Sequence, residues 1–219
     1  ARALDSFVTG PSVIDCGIFS QLAMWFGIRH MLGNEKFNQL FSNAPFYITQ
    51  LNFDEVLDPY EPYKGNPFFQ FLSPSKDDPK EVSICYIKNN PTYLVKHPGG
   101  YSQGDYCIKF NGKYIIFAPS SQETHKLSKN DIKSYLAAQY NKPVDEDDLN
   151  VLADYKANPD ETHPTLQLRH KVLIDLAEKL KSFQIEPTAC GQEEIQFGFD
   201  LAKFQKWVEE MSSDLSQPV

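Results

Sequence analysis

Two residues in this chain have the chemistry for acyl transfer, Cys16 and His97. Cys16 stands in "GPSVIDCGIFSQLAMWFGIRHMLG", at the head of a run whose apolar residues Ile18, Phe19, Leu22, Trp25, Phe26 and Ile28 cover more than half of a helical circumference. Gly10 and Pro11 break the chain before this run, and Gly33 stands where a helix of residues 16–32 should end. A thiol at that place lies among unsatisfied backbone N–H groups at the positive end of the helix dipole. Both favour the thiolate, which is the attacking form. The competing reading of Cys16 is a small core residue packed like any other.

A nucleophilic thiol needs a base, and the chain holds five histidines. His30 lies late in the same helix, about 20 Å further along its axis, and cannot serve Cys16. His125 falls in a polar turn, and His163 and His170 in helical surroundings that suit solvated or structural roles. His97 sits in "VKHPGGYSQGDYC", at the end of a strand-like run beside a glycine-rich turn that leaves room for a substrate or a moving loop. The acids and hydroxyls that follow supply a third member. Ser120 closes the arm "KYIIFAPSS", and Asp105, the one acid in the strand-and-turn segment after His97, is its rival. A carboxylate would hold an imidazolium more firmly than a hydroxyl.

These residues must be positioned by a helix, a sheet and a hairpin, and the sequence offers all three. A shorter helix is expected over about 35–42, with Asn34 as its cap. "VSICYIK", "TYLVKH" and "DYCIKFNGKYIIFAP" read as strands. The Asn111-Gly112 pair marks a tight hairpin between arms at 105–110 and 113–118. "FYITQLNF" is a further strand candidate. "DPYEPYKGNPFFQFLSP" is a proline-punctuated aromatic connection that either lines a groove or pins itself to the core. After Ser120 the segments "SKNDIKSYLAAQYN", "DEDDLNVLADYK", "TLQLRHKVLIDLAEKLKSF" and "FDLAKFQKWVEEM" have helical periodicity. The apolar stripe of Leu166, Val172, Leu173, Leu176 and Leu180 should pack within that lobe. The expected fold is therefore α+β, with a core over 1–121 and a helical lobe over 122–219.

Composition narrows the function. A net charge of −8 with only 21 Lys and Arg disfavours a nucleic-acid partner. No run is long enough for a transmembrane segment, and the first residues have no signal-peptide pattern. The four cysteines (Cys16, Cys85, Cys107, Cys190) contain no Cys-x-x-Cys pair, so neither a zinc site nor another metal or cofactor is expected. Cys85 and Cys107 read as core residues of strands, and the set suits a reducing compartment.

The order Cys16, His97 and then a polar residue, with "DCG" at the nucleophile, resembles the papain-like cysteine protease clan. In that clan the cysteine opens the central helix, the histidine lies by a sheet strand, and a polar orienter follows the next hairpin arm. In spacing the chain is closest to RavD-type bacterial effector deubiquitinases. The resemblance covers about residues 10–121 and implies a papain-like core: an N-terminal nucleophile helix on an antiparallel sheet. It places the catalytic roles on Cys16, His97 and Ser120, where most papain-like enzymes carry Asn. The family's oxyanion-hole glutamine has no counterpart in "TGPSVID", which leaves the Cys16 backbone N–H as one donor. The implied function is a cysteine protease, a deubiquitinase acting on ubiquitin chains as an effector secreted into the host cytoplasm. A glutamine deamidase or transglutaminase would use the same Cys-His pair. A catalytically silent binding protein would keep the fold and leave Cys16 packed.

Overall fold

A computed structural model describes residues 1–10, 12, 14–41, 69–76, 78, 81–118 and 123–215. The "FYITQLNF" strand candidate, most of the aromatic connection and Ser120 lie outside the described residues. The fold class is α+β. The helices are α1 (Arg2–Thr9), α2 (Cys16–Phe41), α3 (Tyr93–Lys96), α4 (Lys129–Tyr140), α5 (Glu146–Ala157), α6 (His170–Leu180) and α7 (Leu201–Leu215). The strands are β1 (Leu72–Pro74), β2 (Ser83–Lys88), β3 (Gly104–Phe110), β4 (Lys113–Ala118), β5 (Glu123–Leu127) and β6 (Glu194–Phe199). They form one sheet in the order β1-β6-β2-β3-β4-β5, in which β1 pairs antiparallel with β6 and β3 with β4. Among the described residues no helix is long and apolar enough to cross a membrane.

Contacts divide the chain into two compact units, residues 1–86, 106–126 and 195–219 in the first and residues 87–105 and 127–194 in the second. The division does not fall at 121/122. The chain passes between the units four times, each time near a strand end.

In the first unit, α2 follows its sequence closely. The helix breaks at Gly33, whose φ of 74° and ψ of 162° fit a residue without Cβ. Asn34 does not cap the second half through its side chain. Its Oδ1 accepts from Arg29 Nε at 2.7 Å. Trp25 is buried edge-on against Phe37 and Phe41, and Phe41 stacks on Trp207 of α7. Leu22, Ile28, Phe71, Ile84, Ile108 and Phe204 complete this core, which joins α2 to the sheet and to α7. The hairpin also matches its sequence. Asn111 and Gly112 both have positive φ, and Phe110 faces Lys113 across the two-residue turn.

Strand β6 departs from the expectation of a purely helical C-terminal lobe. It joins the sheet between β1 and β2, with Leu72 opposite Phe199 and Pro74 opposite Phe197. Its alternation carries the signal, since Ile195, Phe197 and Phe199 all pack on the first core. Strand β5 is a second one in a segment expected to be turn and helix.

The second unit is mainly helical. Leu152 and Tyr155 of α5 meet Leu173 and Ala177 of α6 and Val95 of α3. Of the expected stripe, Leu166, Leu173, Leu176 and Leu180 join this cluster, while Val172 is exposed. Helices α4 and α5 begin with reciprocal caps, Ser128 with Asp131 and Asp145 with Asp148. "TYLVKH" is not a strand but the short helix α3. Asn90 Oδ1 accepts from the Thr92 N–H and Oγ1, and the Tyr93 N–H bonds the Asn90 carbonyl. The Asn-Pro pair thus starts a helical turn, which overrides the β-branched composition of a six-residue run.

Candidate functional site

Cys16 is the first residue of α2. Asp15 caps the helix, its Oδ1 accepting the Ile18 N–H at 2.7 Å, and the Cys16 carbonyl accepts from Ser20 Oγ at 2.9 Å. Among the four thiols Cys16 alone is half-buried. Cys85, Cys107 and Cys190 are buried, and no cysteine is in a disulfide. The Cys107 thiol points to the Cys85 carbonyl at 3.7 Å, in keeping with two core residues on neighbouring strands. The Cys190 thiol donates to Asn89 Oδ1 at 3.1 Å, and burial pushes its pKa up. Cys16 is therefore the least buried of the four cysteines.

His97 belongs to the second unit and is 4% exposed. It ends α3, and both ring nitrogens are engaged there. Nδ1 lies 2.9 Å from Asp148 Oδ2, and Nε2 lies 2.9 Å from the Tyr140 carbonyl. Asp148 is the third residue of α5. Its carboxylate also accepts the Asp145 N–H at 3.2 Å and the Gly99 N–H at 3.0 Å. The Tyr140 carbonyl can only accept, so Nε2 is the donor in that bond. An imidazole held this way is fixed in orientation, with both nitrogens occupied by neighbours in its own unit.

The glycines after His97 serve this closure instead of leaving space. A Cβ on Gly99 would lie 2.6–2.8 Å from backbone atoms of Asp147 and Asp148, and one on Gly100 would lie 2.5 Å from the Tyr93 hydroxyl. Tyr93 OH accepts the Ser102 N–H at 3.1 Å, and its ring lies against His97 with centroids 5.2 Å apart. Lys96, next to His97, is fully buried. Its Nζ donates to the Phe183 carbonyl at 2.8 Å and stands 4.8 Å from the Tyr140 ring centre. Burial lowers the Lys96 pKa and raises that of Tyr93.

The carboxylate that holds His97 is Asp148, not Asp105. Asp105 is buried near the start of β3. Sequence reasoning missed Asp148 and the Tyr140 carbonyl. The Asp145-x-x-Asp148 spacing announces a helix start, yet nothing local announces a partner 51 residues away. In the first unit a cleft of about 460 Å³ is lined by Ser75, Asp78, Glu81, Ser83, Lys109 and Gln196, with the Asn111-Gly112 turn at its side. Cys16, His97 and Asp105 do not line it.

No protein-family model, no curated protein and no solved structure matches this chain. The functional reading therefore rests on the residues themselves.

Proposed function

We propose that this protein is a thiol hydrolase acting on a protein substrate, with Cys16 as its nucleophile. The observation that carries the reading is the placement of Cys16, half-buried where the other three cysteines are buried, on the first turn of a capped helix. Cys16 Sγ attacks the substrate carbonyl carbon, with the Cys16 N–H as one donor to the developing oxyanion. The C–N bond then breaks, the leaving amine takes a proton from His97, and water cleaves the thioester. For His97 to take the thiol proton first, Nε2 must leave the Tyr140 carbonyl and face the thiol as the unprotonated nitrogen, with the single N–H of the ring on Nδ1 toward Asp148. Asp148 then fills the orienting role first assigned to Ser120 or Asp105. The papain-like core, the ubiquitin-chain substrate and the role of a secreted bacterial effector in the host cytoplasm belong to this proposal through the family resemblance.

A second reading is favoured by His97 itself. With both nitrogens committed to neighbours in its own unit, the fold is what a catalytically silent binding protein would keep. Labelling separates the two. The full chain is incubated with a ubiquitin-derived electrophile, and separately with a glutamine-analogue electrophile, and the adduct is located by peptide mass spectrometry. A ubiquitin adduct on Cys16 that is lost in Cys16→Ala and strongly slowed in His97→Gln supports the hydrolase. An adduct only with the glutamine analogue, with ammonia release from a protein substrate, moves the activity to deamidation or transglutamination. Absence of both adducts from a folded chain whose Cys16 still reacts with iodoacetamide overturns the enzyme reading.

A further inference from the structure

The connection between α5 and α6 folds back through an antiparallel bridge between Thr162 and Arg169. Its base is closed by the His170 N–H on the Glu161 carbonyl at 2.9 Å and the Lys171 N–H on the Pro159 carbonyl at 3.0 Å. Its tip is built around His163. The His163 N–H donates to the Leu168 carbonyl and the Gln167 N–H donates to the His163 carbonyl, both at 2.9 Å. Inside the tip, His163 Nδ1 accepts the Thr165 N–H at 3.2 Å and the Leu166 N–H at 3.1 Å. Gln167 takes a left-handed φ of 53°, a conformation that costs free energy for a residue with a side chain. The closed tip seats Leu166 against the core shared by α5 and α6.

Both amides depend on one lone pair. Neutral imidazole has a single acceptor nitrogen, and here it must be Nδ1. A proton on Nδ1 removes the acceptor and sets an N–H against two other N–H groups. We propose that His163 is an acid-sensitive latch: protonation at Nδ1 frees the Thr165 and Leu166 amides and opens the tip from Pro164 to Leu168, while the helices around it stay folded. Opening lifts Leu166 from the core beside the already exposed Leu168, creating an apolar spot that exists only in acid.

The groups facing His163 are consistent with a latch that is closed at neutral pH. Tyr155 of α5 meets the ring edge-on at 6.0 Å, and His170 of α6 stacks on the Tyr155 ring with centroids 4.3 Å apart. His170 Nδ1 is turned to the Asn158 carbonyl at 2.9 Å. The nearby acid Asp160 is engaged by Arg169 and Lys171, at 3.6 and 3.7 Å. Among the described residues no carboxylate pairs with His163. Burial, and then the neighbouring His170, hold its pKa below the ordinary histidine value. Because the folded value is depressed, the latch contributes fully above the ordinary value of about 6.5 and is lost as pH falls through the folded value.

The test is an acid titration of the full chain by NMR, following the His163 ring together with the Thr165 and Leu166 amides. All three should move with one midpoint. Hydrogen-exchange protection of the two amides, corrected for intrinsic rates, should fall at least about tenfold below that midpoint, while Leu173 in α6 keeps its protection. His163→Asn retains an acceptor oxygen near the Nδ1 position and does not titrate, so its tip should stay closed throughout. His163→Phe should leave the tip open at every pH. The proposal is overturned if His163 titrates without moving the two amides, or if the same acid transition persists in His163→Asn. Wild type and His163→Asn decide the matter even if His163→Phe does not fold.

Discussion

His97 and Asp148 are 51 residues apart in the chain and 2.9 Å apart through Nδ1 and Oδ2, with both side chains almost wholly out of solvent. The bond ties the end of α3 to the first turn of α5. The second bond of the same ring, to the Tyr140 carbonyl, ties both to the end of α4. One imidazole thus closes three elements of the second unit.

Removing either partner strands the other in a buried site. His97→Ala and Asp148→Ala should each destabilise the protein by about 3 kcal/mol or more. The double variant should cost clearly less than the sum, because the stranded group is then gone. Urea denaturation of the four proteins measures the coupling. Additive losses, or losses below about 1 kcal/mol, would show that the clamp does not hold the unit.

The four thiols should react in two classes. In the native protein one equivalent of a thiol reagent should be consumed per chain, at Cys16, and the other three cysteines should react only on denaturation. Cys16→Ala should then show no fast phase. Cys190 is the sharpest control, since its raised pKa and its bond to Asn89 both slow it. Fast labelling of Cys190 in folded protein would contradict the burial on which the choice of nucleophile rests.

Lys96 gives an alkaline signature. Its folded pKa is lowered by burial, so between that value and the ordinary value of about 10.4 the unfolded chain binds more protons. Stability must rise with pH across that window, and the full penalty applies below it. Lys96→Met removes the titration. The stability of wild type minus that of Lys96→Met should increase as pH rises toward the ordinary lysine value. A flat difference from neutral pH upward would mean that Lys96 Nζ is solvated.

Two glycines should fail for different reasons. Gly99→Ala drives a Cβ into the backbone of Asp147 and Asp148, which cannot give way without moving the α5 cap, and a cost of roughly 1–3 kcal/mol or more is expected. Gly33→Ala meets no atom within 4 Å and should cost about 1–3 kcal/mol through backbone strain alone. Gly99→Ala should also disturb the amide signals of residues 97–102 and 145–148, and Gly33→Ala should leave them unchanged. Thermal melts and amide spectra of both variants make the comparison.

The sequence by itself determined the features that short-range physics controls. The helix from Cys16, its break at Gly33, the Asn111-Gly112 hairpin and the starts of α4 and α5 each need only neighbours within a turn or a heptad. Burial of Cys85 and Cys107 followed from their place in apolar strands. The α+β class followed from the same periodicities.

What the tertiary structure decided lies at long sequence separation. Glu194–Phe199 has the alternation of a strand, but a six-residue run becomes one only where edges await it, and β1 and β2 supply those edges more than 100 residues upstream. "TYLVKH" had strand composition and became helix, because Asn90 starts a turn and Lys96 and His97 bury their side chains among Tyr140, Phe183 and Asp148. The partners of His97 follow the same logic. Residue types marked it as a base, but a histidine's role depends on what faces its two nitrogens. That is fixed by how three helix ends meet, a property of packing that no local pattern encodes.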